Sequence, residues 1–295
     1  MKINTDCILC SIAKMDRMYD QYDCDPMMKL DFMKDIYALA SHVGGNETAP
    51  LLSAKMLEVL QRYSRQEDPY RENKSRYNQM LLRKEKEILE RIEGSEDSLE
   101  MAIKFAMVGN FIDFGAMDDV DVGMLTLLIQ KAPTMTLSSQ TMLFFRSALE
   151  SARQMLYIGD NAGEIVLDKL FIVQLKKFFP AMKIIFMVRG KPVFNDVTRL
   201  DAEEVGLERL VELVDNGTGI PGTQLDKIQR TALHAIHDSD FILAKGQGNF
   251  ETLAENGLNV FYLFLCKCDL FTRRFGLQKY EGVFTHEHLL AKDYR

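Results

Sequence analysis

The spacing of hydrophobic residues divides the 295-residue chain into two parts. From residue 1 to about residue 154, apolar residues recur three and four positions apart, as on one face of an amphipathic helix. Segments such as "APLLSAKMLEVLQRYSRQ" and "LEMAIKFAMVGNFIDFG" show this spacing. The pattern predicts a mainly helical domain over residues 1–154.

Beyond residue 154, short apolar runs alternate with amphipathic segments. The runs are "QMLYIGD", "KIIFMVRG", "LVELVDNG", "FILAKGQGN" and "NVFYLFLC". Strands that alternate with helices are typical of βα units around a parallel sheet. We therefore predict an α/β protein: an N-terminal helical domain, then a Rossmann-like three-layer α/β/α domain over residues 155–295 with a largely parallel sheet.

One polar stretch, "SRQEDPYRENKSRYN" (64–78), interrupts the helical part. Its charged residues and its proline are typical of a surface connection. We interpret it as a solvated connection between two helices.

In parallel sheets, ligands collect at the carboxyl ends of the strands, where the βα loops converge. Four loops occupy such positions here: "GDNAGE" (159–164), "RGKPVFNDVT" (189–198), "DNGTGIPGT" (215–223) and "KGQGNFE" (245–251). We expect the chemistry of the protein to lie in these loops.

Asp160 and Asn161 directly follow the first apolar run. On a continuing strand their side chains would point to opposite faces, so they can converge only if the chain turns there. A carboxylate and an amide oxygen suit Mg²⁺, Mn²⁺ or another divalent ion. Either residue could instead cap a helix over residues 163–178. Asp196 is a candidate further ligand one βα unit away, and Asp215 is a weaker one because "DNG" is a strong turn signal.

Lys245 ends the fourth run and precedes a Gly-x-Gly turn with a predicted helix start near Asn249. An ammonium group and the backbone N–H groups from Gly246 onward would suit a phosphate. The Walker A glycine pattern does not occur near this loop. The Rossmann pattern is incomplete, because Glu251 stands where its third glycine would be. A purely structural loop is the alternative.

Asn110 and Asp113 lie three residues apart in an otherwise apolar segment of the helical part. On a helix this spacing places both side chains on one face. They either stabilise that helix or offer polar groups to a ligand.

The five cysteines include a C-x-x-C (Cys7, Cys10) and a C-x-C (Cys266, Cys268). We interpret them as free thiols. A structural zinc site, should the two ends of the chain meet, and a redox pair at Cys7 and Cys10 are the alternatives.

Composition narrows the classes of partner. The formal charge is −7 and there is no long basic cluster, so a nucleic acid partner is not expected. The N-terminus has no apolar stretch of signal-peptide length, and the longest apolar run elsewhere falls far short of the roughly 20 residues of a membrane helix, so we expect a cytoplasmic protein without a membrane partner. The five histidines lie outside the four loops, which argues against a protease-like catalytic triad. The oligomeric state is not predicted.

The ordered motifs "DPY", "GNFIDFG", "GDNAGE", "GKPVFNDVT" and "KGQGNFE", with an N-terminal C-x-x-C, resemble the damage-control phosphatase family. That family was long catalogued as domain of unknown function 89, and the C-x-x-C is similar to its prokaryotic branch. The resemblance covers nearly the whole chain. It implies a metal-dependent phosphatase that acts on small phosphate monoesters such as sugar phosphates.

The resemblance also implies roles for individual residues. Asp160, Asn161 and Asp196 would hold a divalent ion (Mn²⁺, Co²⁺, Ni²⁺ or Mg²⁺), and Lys245 would contact the phosphate. Asn110 and Asp113 would face the site from the helical domain. This chain reads "KGQGNFE" where the animal and fungal branch reads more like "KGDLNYR". The missing arginine leaves the sugar-phosphate preference of that branch open for this chain, but it does not affect the lysine, the metal ligands or the reaction type.

We therefore expect hydrolysis of a small phosphorylated metabolite, by a water or by direct attack of a carboxylate. Asp160 is the candidate carboxylate nucleophile, although a metal-bound carboxylate is poorly suited to attack. Glu164 and Glu251 are candidate bases or supporting residues. The alternatives are a non-enzymatic protein that binds a phosphorylated metabolite and an S-adenosylmethionine-dependent methyltransferase.

Overall fold

The computed structural model describes residues 1–45, 47–64, 66, 68–112 and 121–293. Up to residue 153 these ranges are helical, as the three- and four-residue spacing predicts. None of the helices described combines the length and the apolar character that a bilayer span requires. The helices of this part are α1 (Thr5–Gln21), α2 (Lys29–Ser41), α3 (Ala49–Tyr63), α4 (Arg71–Leu82), α5 (Glu85–Glu93), α6 (Ser98–Gly109), α7 (Val122–Lys131) and α8 (Ser139–Ser151).

The rest of the described chain alternates strands and helices. The strands are β1 (Gln154–Ile158), β2 (Lys183–Val188), β3 (Glu212–Asp215), β4 (Phe241–Lys245), β5 (Val260–Leu265) and β6 (Gly282–His286). The helices are α9 (Glu164–Phe178), α10 (Arg199–Glu204), α11 (Arg230–His237), α12 (Gly246–Leu253), α13 (Asp269–Phe275) and α14 (Glu287–Asp293). Short 3-10 turns occur at Pro26–Met28, Ala132–Thr134 and Leu207–Arg209.

These six strands form one sheet in the order β3-β2-β1-β4-β5-β6. Strands β1 to β5 pair in parallel, and β6 pairs antiparallel with β5. The order is that of a Rossmann sheet, and it reverses direction between β1 and β4. The prediction of a Rossmann-like α/β fold with a largely parallel sheet is confirmed. The antiparallel strand β6 is an addition that the sequence did not predict.

Side chains of β1 show how the sheet joins two hydrophobic layers. Met155 and Tyr157 point into one core, which they share with the helices of the first part and with α9. Leu156 and Ile158 point into the other core, which includes residues of α11 and α12. Both faces of the sheet are buried, which explains why its strands are continuous apolar runs. The boundary between two domains at residues 154 and 155 stays a prediction.

The segment 64–78 is not the solvated connection that we expected. Its second half belongs to α4, where Lys74, Tyr77 and Asn78 are buried. Polar composition was misleading here because Lys74 and Asn78 have partners from the α/β part. The prediction of a surface connection is therefore wrong for this part of the segment.

Helix α4 is fastened to α10 by polar contacts. Lys74 Nζ lies 2.6 Å from Asp201 Oδ2, and both side chains are almost fully buried. Asp201 also accepts hydrogen bonds from the backbone N–H and the hydroxyl of Thr198, the N-cap residue of α10. Glu204, at the end of α10, accepts hydrogen bonds from Ser75 and Asn78. These contacts join the helical part to the sheet.

We expect Lys74→Met to lower the free energy of unfolding by about 3–5 kcal/mol, because it leaves the Asp201 carboxylate buried without its cation. Chemical denaturation measures the loss. The double variant Lys74→Met, Asp201→Asn removes both charges and keeps an oxygen for the cap, so it should regain most of the stability. Equal instability of the single and double variants would contradict the ion-pair explanation.

Candidate active site

The loop after β1 brings Asp160 and Asn161 to the edge of the sheet. The strand ends at Ile158, and the following residues pair with the loop after β2. Val197 N–H donates to the carbonyl of Asp160, and Ala162 N–H donates to the carbonyl of Asn195. This pairing sets Asn161 directly opposite Asp196. The chain turns at this point, as the convergence of the two side chains requires.

Neither Asp160 nor Asn161 caps the next helix. The residue before α9 is Gly163, with φ of +79°, and no side chain caps the helix there. The amide N–H of Gly163 is satisfied from the helical part, since it donates to Asn78 Oδ1 over 2.6 Å. The capping alternative is therefore wrong, because α4 supplies an acceptor that the sequence pattern could not reveal.

The chain that follows β4 reaches the same point. Strand β4 is the neighbour of β1 at the position where the strand order reverses. Gly246 begins α12 with φ of +79°. A Cβ atom at Gly246 would lie 2.0 Å from Asp160 Oδ2, so only glycine allows this approach. Asp160 therefore lies against the first turn of α12.

Amide groups fix the Asp160 carboxylate. Its Oδ2 accepts hydrogen bonds from Asn110 Nδ2 (2.9 Å) and from Asn161 Nδ2 (2.6 Å). Both amides also donate to Glu164. The carbonyl of the Asn110 side chain in turn accepts from the backbone N–H of Leu265. Asn110 thus connects the helical part of the chain to the site.

The prediction that Asn110 and Asp113 share a helix face depended on a continuous helix. Helix α6 ends at Gly109, and Asn110 is its C-cap residue. Asp113 lies outside the described residues. Asn110 contacts Asp160 from the end of α6, and whether it shares a face with Asp113 stays a prediction.

Arg189 is a site residue that the sequence did not reveal. Its guanidinium group is buried, with Nε 2.7 Å from Asp196 Oδ2 and Nη2 3.9 Å from Asp160 Oδ1. Nη2 also donates to Asn249 Oδ1 over 3.3 Å. An arginine at a strand end is normally solvated, so only the fold shows that this one lies between two carboxylates.

Lys245 lies behind the site, away from its opening. The ammonium group is fully buried and donates to Glu164 Oε1, Asp168 Oδ1 and the carbonyl of Ala106, over 2.6 to 2.8 Å. Burial lowers its pKa, but Asp168 and Glu164 outweigh that effect and leave the pKa raised. Burial raises the pKa of Asp168, which also accepts a hydrogen bond from Tyr157. The ammonium group thus donates to three protein oxygens, and its contact with phosphate stays a prediction.

A cavity of about 520 Å³ opens in front of Asp160, Asn161 and Asp196. Gln247, Gly248 and Glu251 of α12 also line it. The facing wall consists of Asp6, Cys7, Cys10, Ser11 and Lys14 of α1, residues 49, 50 and 53 of α3, and residues 267–270 and 273 around the start of α13. Ligand sites of small molecules commonly have volumes of this order.

Phe194 forms part of the cavity wall in a strained conformation. Its φ of +44° is unusual for a residue with a side chain. Lys14 Nζ lies 3.2 Å from the centroid of the Phe194 ring. Strain of this kind is commonly stored at functional sites, and here it directly precedes Asn195 and Asp196.

Two further predicted residues have structural contacts. Asn249 donates to the carbonyls of Gly159 and Lys245 and accepts from Thr223, so it ties the loops together behind the cavity wall. Asp215 accepts from the backbone N–H of Gly217 and from Gln229, which is the turn role that "DNG" indicates. Neither residue lines the cavity.

Three cysteines, Cys7, Cys10 and Cys268, line the cavity together, while Cys266 is buried. Across the described ranges, no group of three or more His, Cys, Asp or Glu side chains is arranged to hold a metal, so these thiols do not assemble the zinc site that we considered. Burial raises the pKa of Cys7 to about 11 and that of Cys266 to about 12. Redox chemistry uses the thiolate, which these raised pKa values disfavour.

Asp160, Asn161 and Asp196 have the chemistry of a divalent-metal site. Two carboxylates and one amide meet at the base of the cavity, and hard cations prefer oxygen ligands of this kind. The Asn161 amide nitrogen is used by Asp160 and Glu164, whereas no hydrogen bond within the described part of the chain uses Asn161 Oδ1. Hydrogen bonds from protein groups orient both carboxylates, as metal ligands commonly require.

The chain is similar to known proteins in both sequence and structure. The family model described as the damage-control phosphatase ARMT1-like domain matches residues 3–283. A damage-control phosphatase from Pyrococcus horikoshii is 30% identical over 288 residues, which cover 95% of this chain and 96% of that protein. A damage-control phosphatase from Archaeoglobus fulgidus is 32% identical over 218 residues, which cover 72% and 73% of the two chains.

Among solved structures, the crystal structure of a DUF89 family protein from Pyrococcus horikoshii matches with a TM-score of 0.83 and 26% sequence identity. The match covers 97% of this chain and 99% of that one. The fold and the sequence thus lead to the same relatives, which support a phosphatase of metabolite damage control. The chain belongs to the damage-control phosphatase family.

Proposed function

We propose that this protein is a metal-dependent phosphatase that hydrolyses phosphate monoesters of small metabolites. The observation that carries the proposal is the convergence of Asp160, Asn161 and Asp196 at the base of one cavity. Family membership supports phosphatase activity, and this geometry supports its dependence on a metal.

Asp160, Asn161 and Asp196 would hold the divalent ion, for which Mn²⁺, Co²⁺, Ni²⁺ and Mg²⁺ are the candidates. Such an ion supplies positive charge to phosphoryl oxygens and lowers the pKa of a water bound to it. The chain itself contributes rigid ligands. Asn110 and Asn161 hold Asp160 in place, and Arg189 holds Asp196.

The charges next to the cavity favour this assignment. Asp160, Asp196 and Arg189 together carry two negative charges and one positive charge, so these three side chains have a net negative charge that attracts a cation. Once a divalent ion is bound, the same group of charges becomes net positive, which suits a phosphate dianion. The backbone N–H groups at the start of α12, from Gly246 onward, would add further attraction.

The geometry also bears on the nucleophile. Asp160 Oδ2 already accepts two hydrogen bonds from amides, and such donors stabilise a carboxylate and make it less nucleophilic. These contacts favour attack by a water over attack by Asp160. The substrate must fit about 520 Å³, which suits a small phosphorylated metabolite.

We expect the purified protein to release phosphate from p-nitrophenyl phosphate or from a sugar phosphate when Mn²⁺, Co²⁺, Ni²⁺ or Mg²⁺ is supplied. Phosphate release is measured with and without each metal after treatment with a chelator. Asp160→Ala should lower the rate at least about 100-fold, because it removes a ligand of the ion.

Circular dichroism should show that Asp160→Ala remains folded. Activity that persists in this variant would refute the assigned site. Thermal stabilisation by sugar phosphates with no phosphate release under any metal would instead indicate a binding protein.

Gly246→Ala should weaken metal binding strongly, because the new methyl group would displace the Asp160 carboxylate. Isothermal titration with Mn²⁺ measures this affinity. Gly257→Ala is the matched control, since Gly257 has a similar φ of +71° but no atom within 4 Å of the added Cβ. Equal metal affinity in the two variants would show that the approach of Gly246 to Asp160 is unimportant for the site.

The variant Lys245→Met tests whether Lys245 stabilises the fold or contacts phosphate, as the sequence predicted. We expect a loss of about 3–5 kcal/mol in the free energy of unfolding, because Glu164 and Asp168 would remain buried without their cation. Chemical denaturation measures the loss. Unchanged stability together with a raised KM would contradict this expectation and favour a direct contact with phosphate.

A further inference from the structure

Glu251 is a cavity residue to which the proposed function assigns no role. It lines the same cavity as Asp160, Asn161 and Asp196. Its helix, α12, begins at Gly246, which lies against the Asp160 carboxylate. Glu251 follows five residues later, about 7.5 Å further along the helix axis. Glu251 therefore lies on the side of the cavity that is farther from Asp160 and from the edge of the sheet.

The surroundings of Glu251 differ from those of the other acidic residues in the cavity wall. Among the described residues, its side-chain carboxyl group takes part in no hydrogen bond and no ion pair. Asp6 is exposed and paired with Arg273, and Asp269 is exposed in the first turn of α13. Glu251 is the partly buried carboxyl group among them.

The charged and titratable groups around Glu251 come from several elements. The α-amino group of Met1 donates to the backbone carbonyl of Glu251 over 2.5 Å. The Cys7 thiol of α1 interacts electrostatically with the Glu251 side chain. The other such groups in the cavity wall are Asp6, Cys10, Lys14, Lys267, Cys268, Asp269 and Arg273. Burial raises the pKa of Glu251 to about 7, against an opposing effect of the Met1 amino group. Much of the protein thus carries a proton on this side chain at neutral pH.

We propose that Glu251 is the general acid that protonates the departing oxygen of the substrate. This inference rests on the proposed phosphatase function. A phosphorus held at the base of the cavity needs its nucleophile and its leaving oxygen roughly in line, so the leaving group must extend into the cavity. Glu251 lies on the cavity wall and has no protein partner within the described ranges that would hold its proton.

The step balances as follows. The oxygen of a water forms a bond to phosphorus while the ester P–O bond breaks, and the bonding pair of electrons goes to the ester oxygen. The Glu251 carboxyl proton passes to that oxygen, which leaves as an alcohol. The water gives up one proton to solvent, and the Glu251 carboxylate later takes a proton from solvent, so no net proton is lost from the protein.

The test compares two esters in wild type and in Glu251→Gln. An alkyl ester such as glycerol phosphate leaves as a poorly stabilised alkoxide and needs a proton, whereas p-nitrophenolate is a stable anion. We expect kcat/KM for glycerol phosphate to fall about 100-fold or more in Glu251→Gln. For p-nitrophenyl phosphate we expect a change of only a few-fold, because p-nitrophenolate can leave without a proton from a general acid.

Glu255→Gln is the matched control, because this glutamate is exposed, follows the same helix and does not line the cavity. It should leave both rates unchanged, and Mn²⁺ affinity should be the same in both variants as in wild type. An equal fall for the two esters in Glu251→Gln, or no fall for either, would overturn the proposal. A wild-type protein that cleaves neither ester under any metal would refute the phosphatase function itself, which is a different outcome.

The pH dependence gives a second readout. In wild type, kcat/KM for glycerol phosphate should fall as the pH rises through about 7, because Glu251 loses its proton there. The p-nitrophenyl ester should not show this loss. Because the folded state favours the protonated side chain, wild type should lose thermal stability relative to Glu251→Gln as the pH rises from 5 towards about 8. A constant difference in melting temperature over this range would contradict a buried, protonated Glu251.

Discussion

The site depends on the close approach of two loops at the point where the order of the sheet reverses. Asp160 follows β1 and Gly246 follows β4, and these neighbouring parallel strands direct their carboxyl ends to the same place. The approach leaves no room for a side chain at residue 246. Every later feature of the site depends on this contact, because it determines where the Asp160 carboxylate lies relative to α12.

Around that contact, the protein buries several charged groups and pairs each of them. Arg189 lies beside Asp196, Lys245 between Glu164 and Asp168, and Lys74 beside Asp201. Buried pairs of this kind add little net stability but are costly to break. They act here as positioning elements: the first lies within the segment after β2, the second joins β4 to α9, and the third joins α4 to α10.

Much of the fold could be predicted from the sequence, because its signals are local. The apolar runs identified β1 to β5, and the change in periodicity near residue 154 separated the helical part from the sheet. Asp160, Asn161 and Asp196 could be proposed together because loops after parallel strands meet at one edge. Strand β6 was missed because its five residues, "GVFTH", are mixed in polarity and form no apolar run.

What the sequence could not show are partners that come from distant positions. The buried state of Arg189 and Lys245, and the helix at Arg71–Leu82, depend on carboxylates and amides that lie elsewhere in the chain. The composition of each segment is the same whether its charges face water or face each other. Only the folded arrangement distinguishes the two cases.

Asn110 shows one consequence of this arrangement for the assembly of the protein. Its side chain contacts Asp160, 50 positions away, and Leu265, 155 positions away. A fragment that began at Gln154 would contain all three proposed oxygen ligands and yet lack the amide that orients the first of them. Although the proposed ligands all follow strands of the sheet, the arrangement described here therefore forms only when the first half of the polypeptide is folded against the second.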